Sequence, residues 1–224
     1  LHIEVLDENG KVIDTLDCGI TSGSMSINGQ SDVRRTANFV VQPTLKEKIK
    51  LTENSLLWLN KDIRMSVGLY NPRTKDYKYY PLGCYVYTDT SGTYDATTDN
   101  LTINCADFMK KLDGTKNGQL GALTISYPAY KENEETGEVI ERSIIRNAVI
   151  ETLEKLARIT NYRIDDIGEF YAMPEYNDAW EQYREENADT WNTIPFDQEF
   201  SAGCSVLSIL TAFRDLYPNY EMFF

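Results

Sequence analysis

Short alternating segments separated by turn residues fill the first hundred residues of the chain. Residues 2–6 alternate apolar and polar side chains, Asn9-Gly10 forms a turn that tolerates positive φ, and residues 11–14 return, which predicts a hairpin. The same pattern predicts strands at 20–27, 33–42, 55–59, 63–70, 77–80, 83–87 and 101–105, and a short helical turn at 107–112. This density of strands favours an antiparallel β-barrel or β-sandwich.

The pattern changes to a helical one after Gly114. Between residues 143 and 159, four apolar side chains recur at spacings of three and four: Ile145, Val149, Leu153 and Leu156. This spacing places them on one face, which predicts an amphipathic helix with Ser143 as its cap. A strand at 161–164 is expected to follow this helix.

A second helix is predicted at 204–216. Its apolar residues share one face, Ser201 or Ser205 is expected to accept the free amides at its start, and Pro218 is expected to end it. The aromatic run at 220–224 resembles the opening of a strand. The second half of the chain is therefore expected to be α+β.

Together these patterns predict a mixed β and α+β fold in three parts. A β-rich barrel or sandwich domain occupies 1–112, an inserted α+β domain occupies 113–200, and residues 201–224 form a helix and strand leading into a further domain. The chain begins at Leu1 and stops within an aromatic run. We therefore expect it to be part of a longer product.

Composition excludes several classes of partner. The net charge is −13, with 22 basic against 35 acidic residues, which disfavours an extended phosphate-binding surface and hence a nucleic acid partner. The longest apolar runs are only a few residues, far below the roughly 20 residues needed to cross a bilayer, so no membrane span is expected. The cysteines Cys18, Cys84, Cys105 and Cys204 lie far apart, which favours reduced, mostly buried thiols.

Residues for catalysis are scarce. His2 is the only histidine, which removes Ser-His-Asp and Cys-His systems and most zinc hydrolase sites. The glycines and lysine of 114–121 lack the order of a phosphate-binding loop, so a turn between domains is expected there. Carboxylate-only chemistry stays open, with these candidates: Asp165, Asp166, Glu169, Asp178 and Glu181. We expect no enzyme activity and no cofactor or metal.

Two groups of side chains are candidates for binding. The chain has 15 tyrosines, and a sugar-stacking or protein-binding platform on strands would use Tyr77, Tyr79, Tyr80, Tyr85 and Tyr87. Arg34 and Arg35 lie at the start of a strand, where neighbouring side chains point to opposite faces. One of the two arginines is thus expected to reach inward or across an interface between subunits, although an exposed charge that protects a sheet edge is an alternative.

Several segments, in this order, resemble the amino-terminal region of tail hub, or minor structural, proteins of tailed phages and prophages of Gram-positive bacteria. They are 12–14 leading through 23–27 into 31–37, then 81–85, then 103–114, and finally 216–221. In that family an Arg-Arg-Thr step, a Gly-x-Tyr strand and an Asp-x-Met-x-x-Leu-x-Gly closing turn recur. The acidic segment 171–192 departs from the family pattern.

The resemblance implies a hub in which β-barrel-like domains of three subunits form a ring beneath the tail tube, with the inserted domain at the periphery. Its expected partners are two further copies of the chain, the distal tail protein above, and a spike or fibre below. Its expected location is the virion tail, after assembly in the host bacterial cytoplasm. Two alternatives remain: a carbohydrate- or receptor-binding module, and a carboxylate glycosidase.

Overall fold

A computed structural model describes residues 1–7, 9–16, 19–42, 61–88, 93–95, 100–165, 192–216 and 220–222. The chain divides into two compact units. The first contains the described residues up to Lys111, and the second runs from Leu112 to Met222. In the described ranges, no helix is both long enough and apolar enough to cross a membrane.

In the described part of the first unit, eight strands form one antiparallel sheet. They are β1 (His2–Leu6), β2 (Val12–Thr15), β3 (Gly19–Ile27), β4 (Arg35–Gln42), β5 (Asp62–Asn71), β6 (Asp76–Tyr87), β7 (Thr93–Asp95) and β8 (Asn100–Ala106). Their order is β2-β1-β5-β6-β8-β4-β3, with β7 also paired to β8. The predicted antiparallel β-rich fold is confirmed, including the hairpin of β1 and β2.

The sheet coils around a single apolar core. Side chains from β1 and β4, which lie near opposite ends of the strand order, belong to the same buried cluster. Its largest fully buried members include Ile3, Phe39, Ile63, Met65, Tyr85 and Tyr87. Burying one face of β1, β4 and β8 in this way explains the alternation that their sequences display.

The predicted break between strands 77–80 and 83–87 is wrong, because β6 runs through it as one strand. Ser66 pairs with Pro81 and Met65 pairs with Gly83, which leaves Leu82 as an extra residue in a β-bulge. Proline and glycine are tolerated at bulges, so here they mark a distortion of the strand and not its end. The predicted strand at 55–59 lies outside the described residues.

The second unit combines short strand pairs with two helices. Strand β9 (Ile125–Tyr127) pairs with β12 (Gln198–Phe200), and β10 (Tyr130–Glu132) pairs with β11 (Val139–Arg142). Helix α1 (Ile145–Glu151) continues into a π-helical turn (Thr152–Leu156), and α2 spans Val206–Arg214. A second core includes Tyr127, Ile145, Ala148, Ile194, Ile209 and Phe213.

The helix caps are partly as predicted. Ser205 caps α2 by accepting a hydrogen bond from the Ser208 amide at 3.1 Å, as expected. Ser143 does not cap α1, since Ile144 occupies that position without a side-chain cap. The backbone of Ser143 instead bonds Ala129 and Ile194.

The strands predicted at 161–164 and at the start of 220–224 are also wrong, because the described residues there are not in strands. Aromatic and β-branched residues raise strand propensity, but a strand forms only where a neighbouring ladder is present to pair with it. Pro218 and residues 223–224 lie outside the described residues.

Candidate interaction surface

The carboxylate of Asp107 fixes the backbone of the two arginines expected at a subunit contact. Its Oδ2 atom accepts hydrogen bonds from the amides of Arg34 at 2.9 Å and Arg35 at 2.8 Å, and Oδ1 accepts one from the Met109 amide at 3.1 Å. Asp107 is only 1 % exposed. A buried carboxylate is stable when several donors satisfy it, so this residue locks the start of β4 to the turn after β8.

The Arg35 side chain lies over Gly83 within the first unit. Its guanidinium carbon is 6.0 Å from the ring centre of Tyr85, and its Nη1 donates a long hydrogen bond of 3.5 Å to the Leu82 carbonyl. Gly83 has a φ of +124°, and a Cβ there would lie 2.5 Å from Nη1. Arg35 therefore occupies the space that this glycine leaves open, while the expected subunit contact of Arg34 and Arg35 stays a prediction.

Beyond the core, β5 and β6 continue as an exposed hairpin, which we call the arm (residues 68–80). All of its residues except Gly68 are exposed, and the two strands stay paired to the turn, where Asn71 lies opposite Asp76. The Asn71 side chain accepts a hydrogen bond from the Arg73 amide at 3.0 Å, which shapes that turn. The arm thus contributes little to the core of its own unit.

Three tyrosines on one face of the arm and His2 of β1 form a continuous row of rings, which we call the aromatic strip (His2, Tyr70, Tyr77 and Tyr79). Ring centres are 5.3 Å apart for Tyr70 and Tyr77, 6.3 Å for Tyr77 and Tyr79, and 4.9 Å for His2 and Tyr79. The three tyrosines are 51–54 % exposed. Exposed rings of this kind, each with a polar tip, are typical of binding surfaces.

A glycine allows this row to form. A Cβ on Gly68 would lie 2.9 Å from Cε1 of Tyr79 and 3.3 Å from Cδ1 of Tyr77, so both rings rest on bare backbone. The other face of the arm carries Leu69, and Lys78 with its Nζ 5.3 Å from the Tyr80 ring centre. The arm therefore exposes apolar area on both faces.

The arm is basic in an acidic protein. Three basic residues, Arg73, Lys75 and Lys78, stand against the single acid Asp76, which gives a net charge of +2 where the whole chain carries −13. Opposite charge attracts an acidic partner to the arm before any close contact forms.

Some of the tyrosines predicted to form a binding platform are exposed in the structure, and others are buried. Tyr77, Tyr79 and Tyr80 are exposed on the arm, whereas Tyr85 and Tyr87 are buried in the core and are wrong as binding candidates. Burial also raises the pKa of the Tyr85 phenol. The predicted platform does not include Tyr70 and His2, the other two members of the aromatic strip. The Asn71-Pro72 turn between two strands could have indicated Tyr70, because it places Tyr70 opposite Tyr77.

Strand β3 forms one end of the sheet, and among the described residues it pairs only with β4. No charged residue occurs between Gly19 and Ile27. A shallow, mostly apolar groove beside it is lined by Leu1, Ile20, Met25, Phe39, Met65 and Leu82, among others. An edge without charges is open to pairing or packing with another chain.

An ion pair joins β1 to β5 on the outer face of the sheet. Arg64 Nε lies 2.6 Å from Glu4 Oε2, and this hydrogen bond lowers the pKa of the Glu4 carboxyl and raises that of Arg64. On the neighbouring strand, burial raises the pKa of the Cys84 thiol. A thiol that resists ionisation is a poor nucleophile, so Cys84 has the character of a packing residue.

Of the acids proposed for carboxylate chemistry, the structure describes only Asp165. Asp165 is exposed and pairs with Arg163 at 2.5 Å, while Asp166, Glu169, Asp178 and Glu181 lie outside the described residues. Among the residues that the structure does describe, no group of three His, Cys, Asp or Glu side chains is placed to hold a metal ion.

The glycine-containing segment 114–121 packs against the start of α2. The Gly118 carbonyl accepts a hydrogen bond from the Val206 amide at 2.7 Å, and the Leu112 carbonyl accepts one from the Leu207 amide at 2.9 Å. These helix amides are the groups that would bind a phosphate, and here carbonyl oxygens of the chain occupy them. The segment is therefore a structural turn of the second unit.

Comparison with known proteins gave neither a matching family model nor a matching curated sequence.

Proposed function

We propose that this protein is a structural component of a bacteriophage tail tip hub, forming a ring of three copies below the tail tube. It would connect the distal tail protein above to a spike or fibre below, in the virion tail, after assembly in the host cytoplasm. The observation that carries the proposal is the arm, an ordered hairpin with exposed rings and aliphatic side chains that its own unit does not cover. Such a surface is suited to contact another protein.

The segments behind the family resemblance also meet in space, which supports the proposal. Arg35, Gly83 and Asp107 come from three distant parts of the chain and lie in one cluster of the first unit. The Arg35 side chain needs the space that Gly83 leaves open, and the Arg35 amide donates to Asp107. Three residues that depend on each other form a more specific pattern than three separate motifs, so their joint presence favours a shared hub fold.

Light scattering on the full-length protein, alone and mixed with a candidate distal tail protein, tests the proposal. A trimer, or a ring that forms on mixing, is the expected result. A protein that stays monomeric in both conditions would exclude the hub.

The aromatic strip favours a second candidate, a carbohydrate- or receptor-binding module. Tyr77 and Tyr79 present exposed rings on one face of the arm, whereas the exposed ring of Tyr80 is not part of the strip. Retention on a polysaccharide column should fall for Tyr77→Ala and Tyr79→Ala and stay unchanged for Tyr80→Ala, the matched control. Equal retention of all three variants would exclude the strip as a sugar platform.

A further inference from the structure

A second exposed hairpin lies in the second unit and is formed by β10 and β11; we call it the acidic hairpin (residues 130–142). Asn133 organises its turn: its side-chain oxygen accepts hydrogen bonds from the amides of Glu135 at 2.9 Å and Thr136 at 3.3 Å. The Gly137 amide donates to the Asn133 carbonyl at 2.8 Å. The turn holds a defined shape, so the charges beside it have defined positions.

Like the arm, the acidic hairpin exposes apolar side chains, but its net charge has the opposite sign. Five acids, at 132, 134, 135, 138 and 141, stand against two basic residues, which gives a net charge of −3. Lys131 and Glu141 pair with each other at 3.2 Å. The hairpin also exposes aliphatic side chains, with Val139 46 % and Ile140 68 % accessible.

We propose that the arm of one copy docks on the acidic hairpin of a second copy of this chain. Each copy carries one basic aromatic element and one acidic aliphatic element, so each has both halves of the contact. Opposite charges would orient the two hairpins, and the rings of the arm would cover Val139 and Ile140. This inference rests on the proposed ring assembly, since a contact repeated between two different surfaces builds a ring when the rotation between copies closes.

The charge of the whole chain explains why a local contact is needed. At −13, two copies repel each other at long range, so association requires a site where opposite charges come close together. The arm, at +2, and the acidic hairpin, at −3, form such a pair. Salt screens exposed charges over about 8–10 Å, so it weakens both the attraction between the two hairpins and the long-range repulsion between the copies.

Charge-swap variants of the full-length protein test this contact. The arm variant carries Arg73→Glu and Lys75→Glu, the hairpin variant carries Glu134→Lys and Glu135→Lys, and the swap variant combines all four. The control carries Lys11→Glu and Arg158→Glu, two exposed basic positions elsewhere, and changes the net charge from −13 to −17 just as the arm variant does. Self-association is measured by light scattering over a range of concentrations, with circular dichroism to check folding.

The arm and hairpin variants should each weaken self-association by about tenfold or more, while the swap variant recovers it and the control stays close to wild type. If the wild type and all variants self-associate with equal strength, the docking contact is overturned and the hub proposal still stands. Loss in the arm variant without recovery in the swap would exclude the acidic hairpin as the docking site. A wild type that never associates would overturn the hub proposal together with this contact.

Discussion

Gly83 shows how one residue sets the geometry of the first unit. It follows the extra residue of the β6 bulge, adopts a φ of +124°, and leaves room for the Arg35 guanidinium. A side chain here would meet both a strained backbone and an occupied space. The bulge, the arginine and the ring of Tyr85 therefore depend on a residue that has no side chain.

Gly83→Ala is expected to lower the free energy of unfolding by about 2–4 kcal/mol, because backbone strain adds to displacement of Arg35. Gly10→Ala is the matched control: its φ is +76° and nothing lies within 4 Å of its Cβ position, so only the backbone cost of about 1 kcal/mol applies. Urea denaturation measures both. Equal losses would show that the Arg35 contact adds nothing.

The two neighbouring arginines should respond differently to substitution. Arg35→Ala is expected to lower the free energy of unfolding by about 1–3 kcal/mol, since the side chain packs on Gly83 and Tyr85. Arg34→Ala should impair assembly and leave the fold of the monomer intact. Denaturation and light scattering on both variants check this. Normal assembly of the Arg34 variant would rule out its role at a subunit contact.

The ion pair of Glu4 and Arg64 makes stability depend on pH. The pKa of Glu4 is lowered in the folded state, so its contribution is present above the unfolded pKa, near 4.5, and is lost as pH falls through the folded value. Arg64 is 42 % exposed, so solvent screening limits the contribution to less than about 1 kcal/mol.

Glu4→Gln should therefore lower the free energy of unfolding at pH 7. The difference from the wild type should shrink as the pH falls below 4.5, until the two proteins are equally stable. Denaturant unfolding at several pH values measures the difference. Arg64→Met is the companion variant, and the double variant should lose no more than either single one. A constant difference at every pH would contradict a role for Glu4 ionisation.

At the scale of elements, α1 changes its winding at Thr152. The Thr152 hydroxyl donates to the Ala148 carbonyl at 2.7 Å and lies 2.8 Å from the Tyr127 hydroxyl, and the π-helical turn begins there. Thr152 is fully buried, so both contacts are shielded from water. A hydroxyl bonded to the preceding turn often bends a helix, which here ties α1 to β9.

Tyr127→Phe and Thr152→Val should each lower the free energy of unfolding by about 1–2 kcal/mol, because each removes a hydrogen-bond partner from a buried hydroxyl or carbonyl group. The double variant should cost less than the two single losses combined, since the pair shares one hydrogen bond. A double-mutant cycle measured by denaturation gives this coupling. Additive losses would mean that the two hydroxyls act independently.

The sequence could predict strands wherever one face is buried, because burial imposes alternation on β1, β4 and β8. It could not predict that β6 passes through Pro81 and Gly83, since a bulge and a strand end use the same residues. It indicated Tyr77 and Tyr79 as platform candidates, but it could not predict which other rings join them, because that depends on the register of β5 against β6 and on Gly68.

At the scale of the molecule, each unit has its own core. The first cluster draws on residues between 3 and 105 and the second on residues between 120 and 220, and no described residue belongs to both. A unit that buries its own apolar residues holds the interactions needed for cooperative unfolding. The two units are therefore expected to unfold in separate transitions.

Calorimetry on the wild type and on two variants tests this independence. Gly83→Ala should lower the midpoint of one transition and Thr152→Val that of the other, by roughly 4–8 °C for each kcal/mol lost, given units of about a hundred residues. The variants serve as controls for each other because each changes a residue of only one unit. If both midpoints moved together in either variant, the units would be coupled, and a substitution in the first unit would also disturb the acidic hairpin of the second. Separate midpoints would mean that the arm and the acidic hairpin can be altered one at a time, which the charge-swap experiment requires.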